Sequence, residues 1–279
     1  MSSIAPTQAP APAAERPARP AYKVTGSRVL RSEWAKLWSL RSSWISLGLA
    51  LLFLAALGVV GALDYRSGIA SGRHIADVVD ALSLSLFGTN VAQVVIGVLG
   101  VLLTAGEYAT GMIRSTLAAV PRRLPVLWSK ATVLGLIAFA LATVGAFIAF
   151  LSANSIVSGT PAALPLSATG VVRSLLGAGL YLGLVGVIGV ALGALLRSVA
   201  GGVSVLVVLL TLTPILLSML AGQWAATIAR YLPSRAGEAM FTLHHDASTL
   251  SPAAGLMVLL LWTAVALAGA AVRLARTDA

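Results

Sequence analysis

The chain has 279 residues, 58% hydrophobic and 10% charged, with a net charge of +10, where a soluble domain carries about 25% charged residues. With a mean hydropathy of +0.94, this excludes an ordinary soluble globular protein, because its long apolar runs need lipid as solvent. No cysteine is present, which excludes a disulfide framework, a thiolate metal site and a cysteine nucleophile.

Residues 1–28 include the Ala/Pro-rich tract APTQAPAPAAERPARPAY. Such a composition cannot bury enough apolar surface to offset the entropy of ordering, so a disordered tail is expected. It also lacks the short apolar stretch of a secretory signal, since the first hydrophobic run begins at Trp44. From 29 to 41, Leu30, Trp34, Leu37 and Trp38 recur at spacings of three and four, and Arg31, Lys36 and Arg41 carry charge. This predicts an interfacial helix with its tryptophans at headgroup level and its basic groups toward anionic membrane lipid. An amphipathic helix docked on protein is the other reading.

A span needs roughly 20 apolar residues, and six runs qualify: 44–63, 86–105, 131–151, 174–196, 199–220 and 253–272. The fourth and fifth are separated only by Arg197 and Ser198, and their joined length predicts two crossings linked by a tight turn. Lysine and arginine are distributed unequally between alternate connections. Fourteen fall on the side of the N-terminal flank, the 106–130 connection, Arg197 and the C-terminus, against five (Arg66, Arg73, Arg173, Arg230, Arg235) on the other. Cytoplasmic flanks hold the excess, so the fold expected is an all-α polytopic membrane protein with six transmembrane helices and both termini cytoplasmic. The acids sharpen the contrast to +10 inside and 0 outside. The basic charge is thus accounted for by topology, and nucleic acid is not an expected partner.

The 106–130 connection, GEYATGMIRSTLAAVPRRLPVLWSK, is long, charged and compatible with a helix. Glu107 and Arg114 share a helical face two turns apart. Gly111 between them permits a bend, and Pro121 ends a helix before Arg122 and Arg123. A short helix of this kind fits a partner's groove, and a solvated connector carrying positive-inside charge fits equally.

The string EYATGMIRSTLAAVPRR resembles the loop between the second and third spans of ABC-2 type permeases, the membrane subunits of a class of ATP-binding-cassette transporters. SEWAKLWSLRSSW is similar to the interfacial helix that opens the same family. The resemblance covers residues 28–279 through two loose motifs, the six spans and the loop position. It implies that 107–121 is a coupling helix contacting a separate ATP-binding subunit. Glu107, Gly111, Arg114, Pro121 and Lys130 carry over as coupling or gate-hinge positions. It also implies assembly as a homodimer, or as a heterodimer with a similar permease, and export as the direction.

The three lysines, Lys23, Lys36 and Lys130, lie in no G-x-x-x-x-G-K-[ST] loop. Any ATP hydrolysis therefore belongs to another chain, and no cofactor, catalytic residue or metal is expected here. Gly179, Gly183, Gly186 and Gly193 give span four a face for close helix packing, within one subunit or at a dimer seam. Pro214 predicts a kink in span five, with Thr211 or Thr213 satisfying the freed carbonyl. Asn90 and Gln93, near the outer end of span two, are costly in hydrocarbon and should face the interior, as candidates for the translocation path or as interhelical hydrogen bonds. Residues 221–252 are too long for a plain turn, and the family likeness implies short outer or re-entrant helices there. His244, His245 and Asp246 lack a well-spaced third ligand, so a polar loop tip is expected rather than a metal site.

The function expected is a permease subunit that exports an amphipathic or hydrophobic compound. The alternatives are a non-transporting membrane scaffold or sensor, and a membrane-embedded enzyme, which the absence of Asp, Glu, His, Lys and Arg from the spans disfavours. The Ala/Val/Leu/Arg-rich usage points to a GC-rich bacterial genome and a plasma-membrane location.

Overall fold

The computed structural model describes residues 25–72, 79–112, 124–220, 222–244 and 249–276. Among them the chain is 84% helical and has no strand, and six helices are long and apolar enough to cross a membrane. It is a multi-pass membrane protein. An amphipathic helix, α1 (Gly26–Ser39), leads into α2 (Arg41–Ala70), the first span. The second span is in two pieces, α3 (Ala81–Leu86) and α4 (Thr89–Ala109), and the third is α5 (Leu124–Ile156). The fourth, α6 (Val171–Leu196), turns directly into the fifth, built from α7 (Val199–Val207), a π-helical turn (Val208–Leu212) and α8 (Thr213–Met219). Two short helices, α9 (Gln223–Ala229) and α10 (Pro233–Phe241), precede the sixth span, α11 (Pro252–Arg276). The end of the bundle that holds α1, the close of α4 and the start of α5 is called basal below, and the opposite end apical.

The span limits run beyond the predicted apolar cores at nine of the twelve ends; the fourth span stops at the predicted Leu196, and the fifth begins at the predicted Val199 and ends one residue short, at Met219. The 33 residues of α5 make a helix about 50 Å long, against about 30 Å of hydrocarbon. The helix expected at 29–41 begins at Gly26, so the last residues assigned to a disordered tail belong to α1, and the rest of that expectation lies outside the described residues. Glu107 and Lys130, read from the sequence as loop residues, are helical, in the last turn of α4 and the second turn of α5. The helix expected to start at Glu107 is broken by Gly111, whose φ of +72° is the left-handed conformation that favours glycine. Arg114 and Pro121 lie outside the described residues, as do His245 and Asp246.

The fourth span is the centre of the bundle: 72% of its apolar window is buried, against 22% for the fifth span and 28% for the first and sixth. Its glycines permit this. A Cβ on Gly179 would overlap Thr143 of α5, one on Gly189 would overlap the Gly97 carbonyl of α4, and one on Gly193 would press on the Val101 carbonyl. Gly183 and Gly186 likewise meet α5 and α4. The glycine face is thus used inside the chain, packing α6 against α4 and α5 at backbone distance. The tight turn also forms: Arg197 caps α6 with a φ of 53° and Ser198 caps α7, its hydroxyl accepting from Gly201 N at 3.2 Å.

One face of α1 packs against the bundle. Val29, Glu33 and Leu37 are buried, while Leu30, Trp34 and Trp38 are exposed. Trp34 stacks on Trp38, and Trp38 meets Trp44 edge-on at 4.2 Å between ring centroids. The helix therefore docks on the bundle through one face and presents an aromatic cluster on another.

Candidate functional site

Two arrangements at opposite ends of the bundle hold the predicted residues. At the basal end, α1, α4 and α5 converge on four charges. Lys130 Nζ donates to Glu33 Oε2 at 2.7 Å and to Glu107 Oε1 at 3.0 Å. Lys36 Nζ donates to Glu33 Oε1 at 3.0 Å and to Glu107 Oε1 at 3.1 Å. Each lysine bridges both acids, so the four side chains close a ring with no net charge. Glu33, Glu107 and Lys130 are nearly inaccessible, at 4%, 5% and 6% exposure, and only Lys36, at 31%, reaches solvent. Glu107 Oε2 is buried and has no hydrogen-bond partner among the described residues. Burial by itself lowers the Lys36 pKa, but the hydrogen bond and charge of Glu33, followed by those of Glu107, outweigh it and hold the ammonium above its ordinary 10.5.

The structure thus brings Glu107 and Lys130 together and adds two residues that sequence reasoning missed. Glu33 counted only toward the charge balance of the cytoplasmic side, and Lys36 read as a lipid-facing charge. The available signal was the spacing Val29, Glu33, Leu37, an acid in register with two apolar residues at i and i+8. Gly111 lies one turn beyond Glu107 and does not touch the ring. Close by, the Arg197 guanidinium lies 5.1 Å from the centroid of the Tyr108 ring, in reach of a cation–π contact.

At the apical end, a cavity of about 600 Å³ opens between the start of the second span, α6, the upper half of the fifth span and α10. Both candidate path residues line it. Gln93 is buried as expected, whereas Asn90 is exposed to the cavity rather than packed. Asn90 Nδ2 donates to the Phe87 carbonyl at 3.2 Å, and Gln93 Nε2 donates to the Asn90 carbonyl at 3.2 Å. The Tyr181 hydroxyl donates to Gln93 Oε1. Tyr181 fits beneath α10 because residue 237 is glycine, where any Cβ would overlap its ring. Sequence reasoning missed Tyr181. The signal was its place inside a span, away from the ends where tyrosines anchor, which obliges its hydroxyl to find a partner.

The rim is charged. Asp80 caps α3, its Oδ1 accepting from Ser83 N at 2.7 Å, while its Oδ2 lies 3.4 Å from His244 Nδ1. Arg235 pairs with Glu238 at 3.0 Å on α10. Where the sequence predicts a kink, the fifth span has the π turn. Pro214 supplies no N–H, and the Val208 carbonyl accepts from both the backbone N–H and the hydroxyl of Thr213, the latter at 2.8 Å. That carbonyl is not the one Pro214 frees four residues back, at Leu210, so the expected role of Thr213 is not seen; the Thr211 hydroxyl is buried without a partner among the described residues, as is that of Ser234. No cluster of three His, Cys, Asp or Glu able to hold a metal occurs among the described residues.

Compared with the models of known protein families and with curated proteins, the chain matches none.

Proposed function

We propose that this multi-pass membrane protein is the permease subunit of an ABC transporter of the plasma membrane, exporting an amphipathic or hydrophobic compound with energy from a separate ATP-binding subunit. The basal ring is the observation that carries the reading. It ties α1 and the helix ends on both sides of residues 110–123 into one unit, so a partner pressing on that connection would move the second and third spans together. Gly111, at positive φ, marks where the connection departs from α4. The short outer helices α9 and α10, the interfacial α1 and the six spans agree with the arrangement that the resemblance to ABC-2 type permeases implies. In this reading the basal end is cytoplasmic, the path runs past Asn90 and Gln93, and two permease chains assemble with two ATPase subunits.

The test is purification from native membranes in mild detergent, with bound proteins identified by mass spectrometry. The expected result is a stoichiometric partner carrying a G-x-x-x-x-G-K-[ST] loop. Recovery of the chain alone in several detergents overturns the reading and favours a scaffold. Gly111→Pro cannot adopt the observed φ, and in the complex it should uncouple ATP hydrolysis from transport while leaving membrane insertion intact.

A further inference from the structure

We propose that the apical cavity is a binding site for an uncharged amphipathic molecule, one with a hydroxyl- or amide-bearing face on an apolar body. Its volume of about 600 Å³ is that of a site for a small organic ligand. The walls are apolar, with Leu86, Phe87, Leu210, Ile215 and Phe241 among them. Neutral polar residues line it as well, Asn90, Gln93, Tyr181, Thr211 and Ser234 among them. The Thr211 and Ser234 hydroxyls are buried with no partner among the described residues. A buried polar group without a hydrogen bond is costly and calls for an explanation, and a ligand hydroxyl or carbonyl supplies one.

Of the charged residues in the lining, Arg235 pairs with Glu238 at 3.0 Å, and Asp80 Oδ2 lies 3.4 Å from His244 Nδ1. An ion entering would shed water against largely apolar walls, whereas a neutral hydrogen-bonding group would lose little. The π turn points the same way. The buried positions of the fifth span fall at every fourth residue, Gly202, Leu206, Leu210 and Pro214. In an uninterrupted α-helix such a row drifts about 40° per step. The wide turn takes up that drift and keeps Leu210, Thr211 and Pro214 on the cavity wall, a use typical of π turns at ligand sites. The assignment deepens the transport reading by giving a substrate class, and it rests on that reading only for passage across the membrane.

The full chain in lipid nanodiscs, without nucleotide, would be labelled with an octyl glucoside bearing a diazirine on its tail, and with the same tail carrying a trimethylammonium or a sulfate head. Labelled peptides would be mapped by mass spectrometry. The expected result is labelling by the glucoside within 83–93, 210–218 and 234–242, suppressed by excess plain octyl glucoside, with the charged probes at least about fivefold weaker. Thr211→Val and Asn90→Leu should each lower the apparent affinity about three- to tenfold, the loss expected for one neutral hydrogen bond. Thr211→Val removes only an unpartnered hydroxyl, so its melting temperature should stay level or rise, which separates lost binding from lost structure.

Three results would overturn the assignment: labelling confined to lipid-facing positions such as Leu261, stronger cavity labelling by a charged probe, or both variants labelling like the parent chain. Failure here with an ATPase partner bound leaves the transport reading standing, and cavity labelling with no partner found does the reverse.

Discussion

Lys130 is the side chain on which the basal ring depends, because it is the buried cation shared by two buried acids. Lys130→Met would leave Glu33 and Glu107 facing each other with only the partly exposed Lys36 between them. Removing one member of a buried ion pair costs about 3–5 kcal/mol, so a large drop in melting temperature in detergent is expected. Lys36→Met should cost less, because its ammonium keeps contact with water. The pH dependence has a definite direction. The folded state holds the Lys36 proton more tightly than the unfolded chain does, so its contribution is fully present below pH 10.5 and is lost as pH rises through the higher folded value. The melting-temperature gap between the parent chain and Lys36→Met should therefore stay constant from pH 7 to 9 and narrow above about 10.5. A gap that instead opened on raising the pH would contradict the ring as described.

Among the elements, the contact of α6 with α4 is the most demanding, since it is made backbone to backbone. Gly189→Ala would force a methyl onto the Gly97 carbonyl, and overpacking of this kind costs about 1–3 kcal/mol. Gly48→Ala, in open space on α2, should be neutral or slightly stabilising because alanine favours the helix. Thermal unfolding of the two variants side by side checks the difference. The spans themselves were legible in the sequence because length and hydropathy decide them, and the glycine face of α6 was legible as a packing face. Which side of α2 or α5 meets protein was not, since both are apolar nearly all round and periodicity carries no signal there. The ring was illegible for another reason. Glu33 and Lys130 are 97 positions apart, and no local pattern distinguishes an acid destined for a buried partner from one on a wet surface. Asn90 and Gln93 stood out because amides are rare in hydrocarbon, whereas the hydroxyls of Thr211 and Ser234 became informative only once their neighbours were in place.

For the whole molecule, the orientation inferred from charge has a direct check, because the chain contains no cysteine. Ser158→Cys, exposed at the apical end, should react with a membrane-impermeant maleimide in intact cells. Thr110→Cys, exposed at the basal end, should react only after permeabilisation. The opposite pattern would invert the topology and put the ring on the outer face. Arg66 Nη1 donates to the Ile156 carbonyl at 2.9 Å, Ala81 N to the Ala162 carbonyl at 2.8 Å, and Trp262 Nε1 to the Tyr231 carbonyl at 2.9 Å. These bonds lace the apical connections to the first, second and sixth spans. The molecule is therefore secured at both ends by polar contacts around a core of apolar and glycine packing.

The closed ring also has a mechanical meaning. Each acid is held by two lysines and each lysine by two acids, so no single contact acts as a pivot, and three helices from distant parts of the chain meet at a rivet rather than a hinge. The connection between the second and third spans hangs from that rivet at both ends. A force applied to it would be delivered as a torque on a stiff lever nearly the full height of the bundle, with the apical cavity at its far end.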